Sequence, residues 1–565
     1  MMDIKQFREL YDTHNAYWDA ERREMRQLRN AYSNRYWDKA IQPDQVLIEV
    51  PRAYEYIEGY VASLFARNPA VVVKADLRGA GTPSKVQAIC NEFLNHVRTQ
   101  LEDATRLALI YPCSYLKLSF NTNSDVFRRV SASAVAPWDC IVDLDASSWA
   151  DQSYCAHRYY ITEDEARERF GNRRFSKHNI VRYLDQQQEE STLFASYQNK
   201  VMEDERSVFS YIEIVELYNL ADNRFYIWSP DYSDGNRWLQ DGVEIITADE
   251  EGNEEKEKYR DIPFTDGSGQ PLAPIVPLYY SRMPDLPMRG YSALRRVYDQ
   301  IQETNIIRSY QAAMVRRAAR QWVIEKGVFS DESLSKIAQG QDGEFIECEL
   351  SQGQQLQGSI MAVPHSPVPA ELQNYIIQVG DDLQRGSVMA PFTRGEATKA
   401  TATEVTALAA YTSTEVGRLA RERDNAIEKM AELYISMMRV FLGEDSDIVL
   451  LNGKPEVISA NDLQGNFGYY AQDSGSTPIS EAIQKQEFMQ TVPLLQQLGV
   501  PPQQILKELI RVYDLPESLL PEALTSTDAE KPQPSQMGMT AEQLPPAEAV
   551  LGLPPNPKNI RQVLP

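Results

Sequence analysis

The residue patterns that most often carry chemistry are few in this chain, and each has a plainer reading beside it. Asp143 and Asp145 form a carboxylate pair of the kind that divides acid and base roles, but aspartates at a strand end also make turns, and the turn is the reading adopted. Asn452-Gly453-Lys454-Pro455 resembles the end of a phosphate-cradling loop, yet it lacks both the first glycine and the hydroxyl that would hold a magnesium ion. No GxSxG, HExxH or GxGxxG is present. The five histidines stand singly, and His365 lies between Pro364 and Ser366 in a loop context. Five cysteines (Cys90, Cys113, Cys140, Cys155 and Cys348) make no CxxC pair, so reduced thiols are expected and neither a zinc site nor any other metal or cofactor is. The acidic run 249–258 has no liganding spacing and reads as a solvated loop tip, not a cation site. No catalytic residue is assigned and no enzymatic activity is expected.

The elements that position whatever function remains are therefore more informative. The chain has 565 residues, enough for about three domains, with 42% apolar and 24% charged residues. Lys and Arg number 57 against 81 Asp and Glu, a formal charge of −24. A protein that grips nucleic acid by neutralising phosphates is usually basic, so tight wrapping of DNA is not expected, although passage of DNA past a repelling wall is compatible with this balance. No run approaches the roughly 20 apolar residues of a membrane helix, and the opening MMDIKQFREL has no secretory pattern.

Periodicity predicts a helix through Phe7, Leu10, Tyr11, Trp18, Met25, Leu28 and Tyr32, with Asp3 as its cap. Further helices are expected over 52–67 and from Thr82-Pro83 to about Tyr111. Strands follow. In 114–121, Leu116, Leu118 and Phe120 lie on one face and Lys117 and Ser119 on the other. Another strand region covers 130–145, and 208–220 with 224–228 forms a hairpin across Asp222-Asn223. Gly290-Tyr291-Ser292 then opens a long helix, 293–320, with a stripe of Leu294, Val297, Tyr298, Ile301, Tyr310 and Met314. Short strands and Gly/Gln-rich connectors fill 321–363, including Trp322-Val323-Ile324 and Phe345-Ile346-Glu347. A helix over 369–384 ends at Gly386. The stretch 387–401 reads as a loop, and Thr401 with Glu404 caps a helix over 402–442 whose weakest point is Gly417. A short β region (448–451, 467–471), two helices (478–497, 502–513) and a tail with nine prolines in its last 45 residues complete the chain.

This order of parts resembles the portal, or head–tail connector, proteins of tailed double-stranded DNA bacteriophages, most of all those of short-tailed phages. The carriers are GYSALRRVYDQIQETNIIRSYQAAMVRR, AELQNYIIQVGDDLQRG and above all APFTRGEATKATATEVTALAAYTSTEVGRLARERDNAIEKM, with VPRAYEYIEGYVASLFARNP and PWDCIVDLDA in fitting places. At residue level the likeness is specific only around 290–320 and 386–440.

The resemblance implies an α+β portal fold. In it, 1–289 is the wing, 290–320 the first stem helix, 321–363 a small α/β clip and 364–386 the second stem helix. Residues 387–401 form the tunnel loop, 402–442 the tunnel helix, 443–477 a return to the wing, 478–519 the helical crown and 520–565 a Pro-rich flexible tail. It further implies a dodecameric ring at the capsid vertex, in the virion after assembly in the host cytoplasm. Viral duplex DNA would pass through its channel. Its partners would be the terminase motor, then a head–tail adaptor, with major capsid and scaffolding proteins around it and no membrane. Within that frame Arg394 and Lys399 of the tunnel loop are expected to face DNA, the alternative being ordinary loop charges with Arg394 paired to Glu396. Arg316, Arg317 and Arg320 at the stem–clip junction are candidates for DNA or partner contact, or simply cations placed favourably at a helix C-terminus. Trp322, Lys326, Glu344, Glu347 and Glu349 are the expected docking surface of the clip. A different virion structural protein, such as an adaptor or minor capsid protein, is the alternative. An enzyme such as a nuclease or the packaging ATPase is the more distant one.

Overall fold

The computed structural model describes residues 2–36, 47–75, 82–120, 130–171, 173–176, 211–234, 237–248, 254–259, 261–318, 322–339, 346–350, 360–362, 370–387, 402–442, 446–451, 454–472, 492–493 and 505. The chain divides into two units, Met1–Ala482 and Ile483–Pro565, and nearly everything described belongs to the first. Of the helices expected over 478–513 only the helical residues 492–493 and 505 are described; the tail, residues 388–401 of the expected loop and His365 lie outside the described residues, while Ser387 belongs to the preceding helix.

The fold is α+β. It opens with helix α1 (Ile4–Tyr32), α2 (Arg52–Leu64), strand β1 (Val71–Ala75), α3 (Pro83–His96) and α4 (Arg98–Ile110). The single helix expected from 82 to 111 is thus two, separated at Val97. Both halves keep one apolar stripe, since Val86, Ile89, Phe93, Val97 and Leu101 are all buried. Then come β2 (Ser114–Phe120), β3 (Val130–Val135), β4 (Cys140–Val142), β5 (Tyr154–Thr162), α5 (Glu163–Phe170), β6 (Tyr211–Asn219), β7 (Arg224–Trp228) and β8 (Gln240–Asp241). Strands β4 to β8 form one antiparallel five-stranded sheet in sequence order. Its β6–β7 hairpin turns as expected at Asn223, whose positive φ of 50° suits an asparagine.

Strands β9 (Val243–Ala248) and β10 (Glu254–Tyr259) form a hairpin, so the second half of the acidic run is a strand and not a loop tip. The alternation within Val243–Ala248 and the Glu/Lys alternation of 254–258 suit an antiparallel ladder better than the charge density suggests. Strand β11 (Ile275–Leu278) completes a three-stranded sheet, β11-β2-β3. Residues 114–118 of β2 are buried on both faces, with β6 of the five-stranded sheet lying against one of them. Lys117 is consequently only 5% exposed, its ammonium 2.8 Å from Glu216 and donating to the Tyr218 hydroxyl at 2.5 Å.

The rest of the chain is α6 (Arg295–Ala318), β12 (Trp322–Ile324), α7 (Asp331–Gln339), β13 (Ile360–Ala362), α8 (Ala370–Ser387), α9 (Ala402–Leu442), β14 (Ser446–Leu451), β15 (Lys454–Ser459), α10 (Ala460–Leu463) and β16 (Phe467–Ala471). Strands β14 and β15 pair with each other, and β16 pairs back with β1. Helix α8 runs through Gly386 instead of ending there, and α9 passes Gly417 without interruption.

Most buried apolar residues form one core joining α1–α4, the three-stranded sheet, the root of α6 and the C-terminal part of α9. A smaller cluster of Ile4, Phe7 and Tyr11 packs the first turns of α1 onto the five-stranded sheet at Tyr226 and Trp228. The four buried cysteines are free thiols, and burial pushes Cys113 and Cys155 up to about 12.

Candidate functional site

The element that stands apart from this core is the pair α6 and α8 with the strands at its far end. Its root is fixed by the Gly290-Tyr291-Ser292 turn. Gly290 adopts φ +75°, and a β-carbon there would collide with the Pro112 carbonyl oxygen, so only glycine lets the chain pass. The Tyr291 amide donates to the Ser281 carbonyl at 2.9 Å. The Ser292 hydroxyl accepts from the Arg295 amide at 3.1 Å, capping α6, and donates to the Ile110 carbonyl at 2.6 Å. Leu294, Val297 and Ile301 are fully buried, and Arg295 reaches Glu24 of α1 at 3.1 Å. The segment 47–50 is hydrogen-bonded to α6 farther along the helix. There the Ile48 amide donates to Ser309 Oγ and the Val50 amide to Asn305 Oδ1, each at 2.9 Å.

Beyond that segment α8 packs beside α6. The Tyr375 hydroxyl of α8 donates to Glu303, Val379 is 5% exposed, and Leu383 packs on the main core. The first turns of α6 and the last of α8 therefore sit at the same core, and the two helices run antiparallel as a hairpin. The apolar stripe expected along α6 changes character on the way. Its root is core, but Tyr310 is 63% exposed and Met314 38%, joined by Ile306 at 36% and, on α8, Tyr375 at 45% and Ile377 at 62%. Among the described residues Tyr310 and Met314 thus belong to no buried cluster. Five large apolar side chains are therefore exposed on these two helices, with Tyr375 and Ile377, two residues apart, on different sides of α8.

At the far end β12 and β13 pair antiparallel, Trp322 opposite Ala362. The connectors between them contain a helix the sequence reading lacked. Ser330 caps α7 by accepting from the Ser333 amide at 3.2 Å, and Lys336 pairs with Glu332 at 3.2 Å. The strand expected at 345–347 reduces, in its described residues, to an isolated bridge between Phe329 and Cys348, with the Glu349 amide donating to the Val328 carbonyl at 2.9 Å. Lys326, Glu347 and Glu349 are exposed in this region, together with Ile346 and Leu350. Trp322, Lys326, Glu347 and Glu349 therefore share one end of the hairpin. Arg316 and Arg317 lie in the last turn of α6, where only the backbone is described. Arg320, Glu344, Arg394 and Lys399 fall outside the described residues. Sequence reasoning missed Ile306, Tyr375 and Ile377; the clue available was a stripe on α6 longer than one neighbouring helix can cover.

Helix α9 spans the 41 residues expected for it, about 60 Å at standard rise. From Val416 to Met438 its inward face is buried, with Tyr434 stacked on Phe93 at 4.1 Å between ring centroids. Arg423, 1% exposed, is satisfied by the Leu64 carbonyl and by Asp424, whose Oδ1 accepts at 2.6 Å. For residues 402–415 only the backbone is described.

Two further carboxylates, Glu216 and Asp139, are paired with the buried cations Lys117 and Arg158. Burial alone would raise Glu216, but the charge of Lys117, His157 and the hydrogen bonds from Lys117 and Tyr159 hold it at about 2. Asp139 is pushed up to about 6 by burial, against the pull of Arg158 at 3.2 Å. Asp143 and Asp145 make a turn: the Asp145 amide donates to Asp143 Oδ1 at 3.0 Å, and Gln152 holds the Asp143 backbone from both sides. Among the described residues no three His, Cys, Asp or Glu converge to hold a metal ion, and no helix is long and apolar enough to cross a membrane.

No protein-family model matches this chain, and no curated protein matches it. Among solved structures it is similar to a chain of the virion of a native gene transfer agent (GTA) particle, with 10% sequence identity and a TM-score of 0.38, over 85% of this chain and 89% of that one.

Proposed function

We propose that this chain is a portal subunit, a non-enzymatic structural protein of a phage virion that closes into a dodecameric ring around a DNA channel. The observation that carries the reading is the helical hairpin that leaves the core and presents Ile306, Tyr310, Met314, Tyr375 and Ile377 to the surface. A closed ring of identical subunits needs two complementary faces on each one, and apolar faces on projecting helices supply them. The segments that carry the sequence resemblance are the helices of this hairpin and α9. In this reading α6 and α8 are the stem, β12, α7 and β13 belong to the clip, and α9 is the tunnel helix.

Electrostatics supports the same reading. A ring of twelve such chains would carry about −288, so its body repels phosphate and lets duplex DNA slide without sticking. Retention is then local, and Arg394 and Lys399 of the tunnel loop are the cations assigned to it. The far end of the hairpin, with Trp322, Lys326, Glu347, Glu349 and the exposed Ile346 and Leu350, docks the terminase motor during packaging and the adaptor afterwards. Negative-stain images of the purified full chain test the reading. Top views of a ring with about a dozen subunits and a central hole are expected, and a field of single compact particles would overturn it.

A further inference from the structure

The root of the hairpin carries a cluster of arginines drawn from three elements. Residues 280–282 gather them. The Tyr280 carbonyl accepts from Arg418 of α9 at 3.0 Å, the Ser281 hydroxyl accepts from Arg296 of α6 at 2.7 Å, and Arg282 is the next residue, paired with Glu422 of α9 at 3.2 Å. Arg421 stands one turn beyond Arg418 on the same helix. All four side chains are exposed. Among the described residues Arg296 has no carboxylate partner, and Arg421 has neither a hydrogen bond nor an ion pair. The Arg296 guanidinium is instead held by a neutral hydroxyl and lies 5.7 Å from the centre of the Tyr291 ring. Its charge is therefore positioned without being neutralised, the state that favours an anionic partner from outside.

A chain of formal charge −24 offers that partner on its own surface. The complement that fits by position is Asp381 with Asp382, near the core end of α8. Both are exposed, and among the described residues neither has a hydrogen bond or an ion pair. The bond from the Tyr375 hydroxyl to Glu303 fixes the register of the two helices. Measured from it toward the core, Asp381 lies about 9 Å along α8 and Arg296 about 10 Å along α6, so the two stand at one level. Within one chain they share that level without pairing. Rotation about an axis running along the hairpin preserves the level, so the acidic pair of one copy can meet the arginines of the next. We infer that the arginine cluster at the hairpin root is a contact with a second copy of this chain and receives that copy's Asp381 and Asp382. The inference rests on the proposed ring and names a polar contact that sets the register between its subunits.

The test is charge reversal with compensation, read by sedimentation velocity of the full chain over a concentration series. Arg296→Glu with Arg421→Glu should raise the concentration for half assembly about tenfold, because carboxylates would then face carboxylates. Asp381→Lys with Asp382→Lys should raise it by a similar factor. All four substitutions in one chain should bring assembly back to within about threefold of the unsubstituted chain, since every contact then has its charges exchanged and not opposed. Thermal melting of each variant checks the fold, and recovery on adding two more substitutions cannot come from a common loss of structure. An unsubstituted chain that stays single would overturn the ring and this contact with it. A chain that assembles normally and ignores the arginine reversal, or a fourfold variant that recovers nothing, would overturn the contact and leave the ring standing. Rings that assemble normally with both arginines reversed but lose retention of duplex DNA would make the cluster a phosphate contact, and the assignment to a second copy would be overturned.

Discussion

Replacing Tyr310 and Ile377 together should separate assembly from folding. The two side chains keep 63% and 62% of their surface in the single chain, on the two helices of the hairpin. Burying a side chain of this size completely is worth about 1.5–3 kcal/mol, so covering the exposed remainder is worth about 1–2 kcal/mol for each. Truncating both to alanine should therefore remove about 2–4 kcal/mol from each subunit contact, about a 30- to 1000-fold change in its dissociation constant. Tyr310→Asp with Ile377→Asp should do more, because the new carboxylates would have to be desolvated. The fold of the single chain should barely respond, since substitutions at exposed positions usually shift stability by no more than about 0.5 kcal/mol. Val379→Asp is the contrasting variant: that side chain is 5% exposed, and a carboxylate there should disrupt the hairpin itself. Sedimentation velocity across a micromolar concentration series measures the assembly, and circular dichroism with thermal melting measures the fold. If the double aspartate variant assembles over the same concentration range as the unsubstituted chain, the exposed face is not the subunit contact and the reasoning fails.

Other outcomes follow from the same geometry. Gly290→Ala, at φ +75° with the Pro112 carbonyl in the way, should destabilise the chain by more than about 2 kcal/mol, and an unchanged melting temperature would contradict the strain described. Two buried carboxylates should shape the pH profile in opposite directions. Glu216, held at about 2, contributes stability that is present above its ordinary carboxyl value and is lost as pH falls toward 2. Asp139, raised to about 6, contributes stability that is present at acid pH and is lost as pH rises through 6. Denaturant titrations of Glu216→Gln should thus show a flatter acid limb, and those of Asp139→Asn a smaller loss between about pH 4 and 6. Arg394→Ala with Lys399→Ala should leave assembly unchanged and impair retention of packaged DNA in a nuclease-protection assay, whereas full retention would remove the role assigned to them.

How far the fold was legible depended on whether a segment's own pattern or its tertiary surroundings decided its structure. Helix α9 was legible to its ends because a long apolar stripe crosses Ala402–Leu442 with little to interrupt it. The break at Val97 was not, since the stripe from Val86 to Leu101 continues unbroken on both sides of it. Helix α7 escaped because its nine residues are short and its main cue, the Ser330 cap, is local. The hairpin β9–β10 escaped because the charge of 249–258 outweighed the alternation within it. Lys117 reads as the polar side of a half-exposed strand, and only the second sheet, bringing Glu216 and Tyr218 to it, explains why it is buried.

The candidate site divides in the same way. Gly290, Ser292 and the root of α6 were legible as a helix start, and their burial agrees with the apolar stripe. That the same stripe ends as an exposed face was not, because periodicity reports which residues share a side and not what covers that side.

The mass of the purified chain in solution tests the central claim most directly. A portal ring of twelve chains of 64.3 kDa predicts a particle of about 770 kDa by native mass spectrometry or light scattering at micromolar concentration. A single stable species at 64.3 kDa under the same conditions would contradict it.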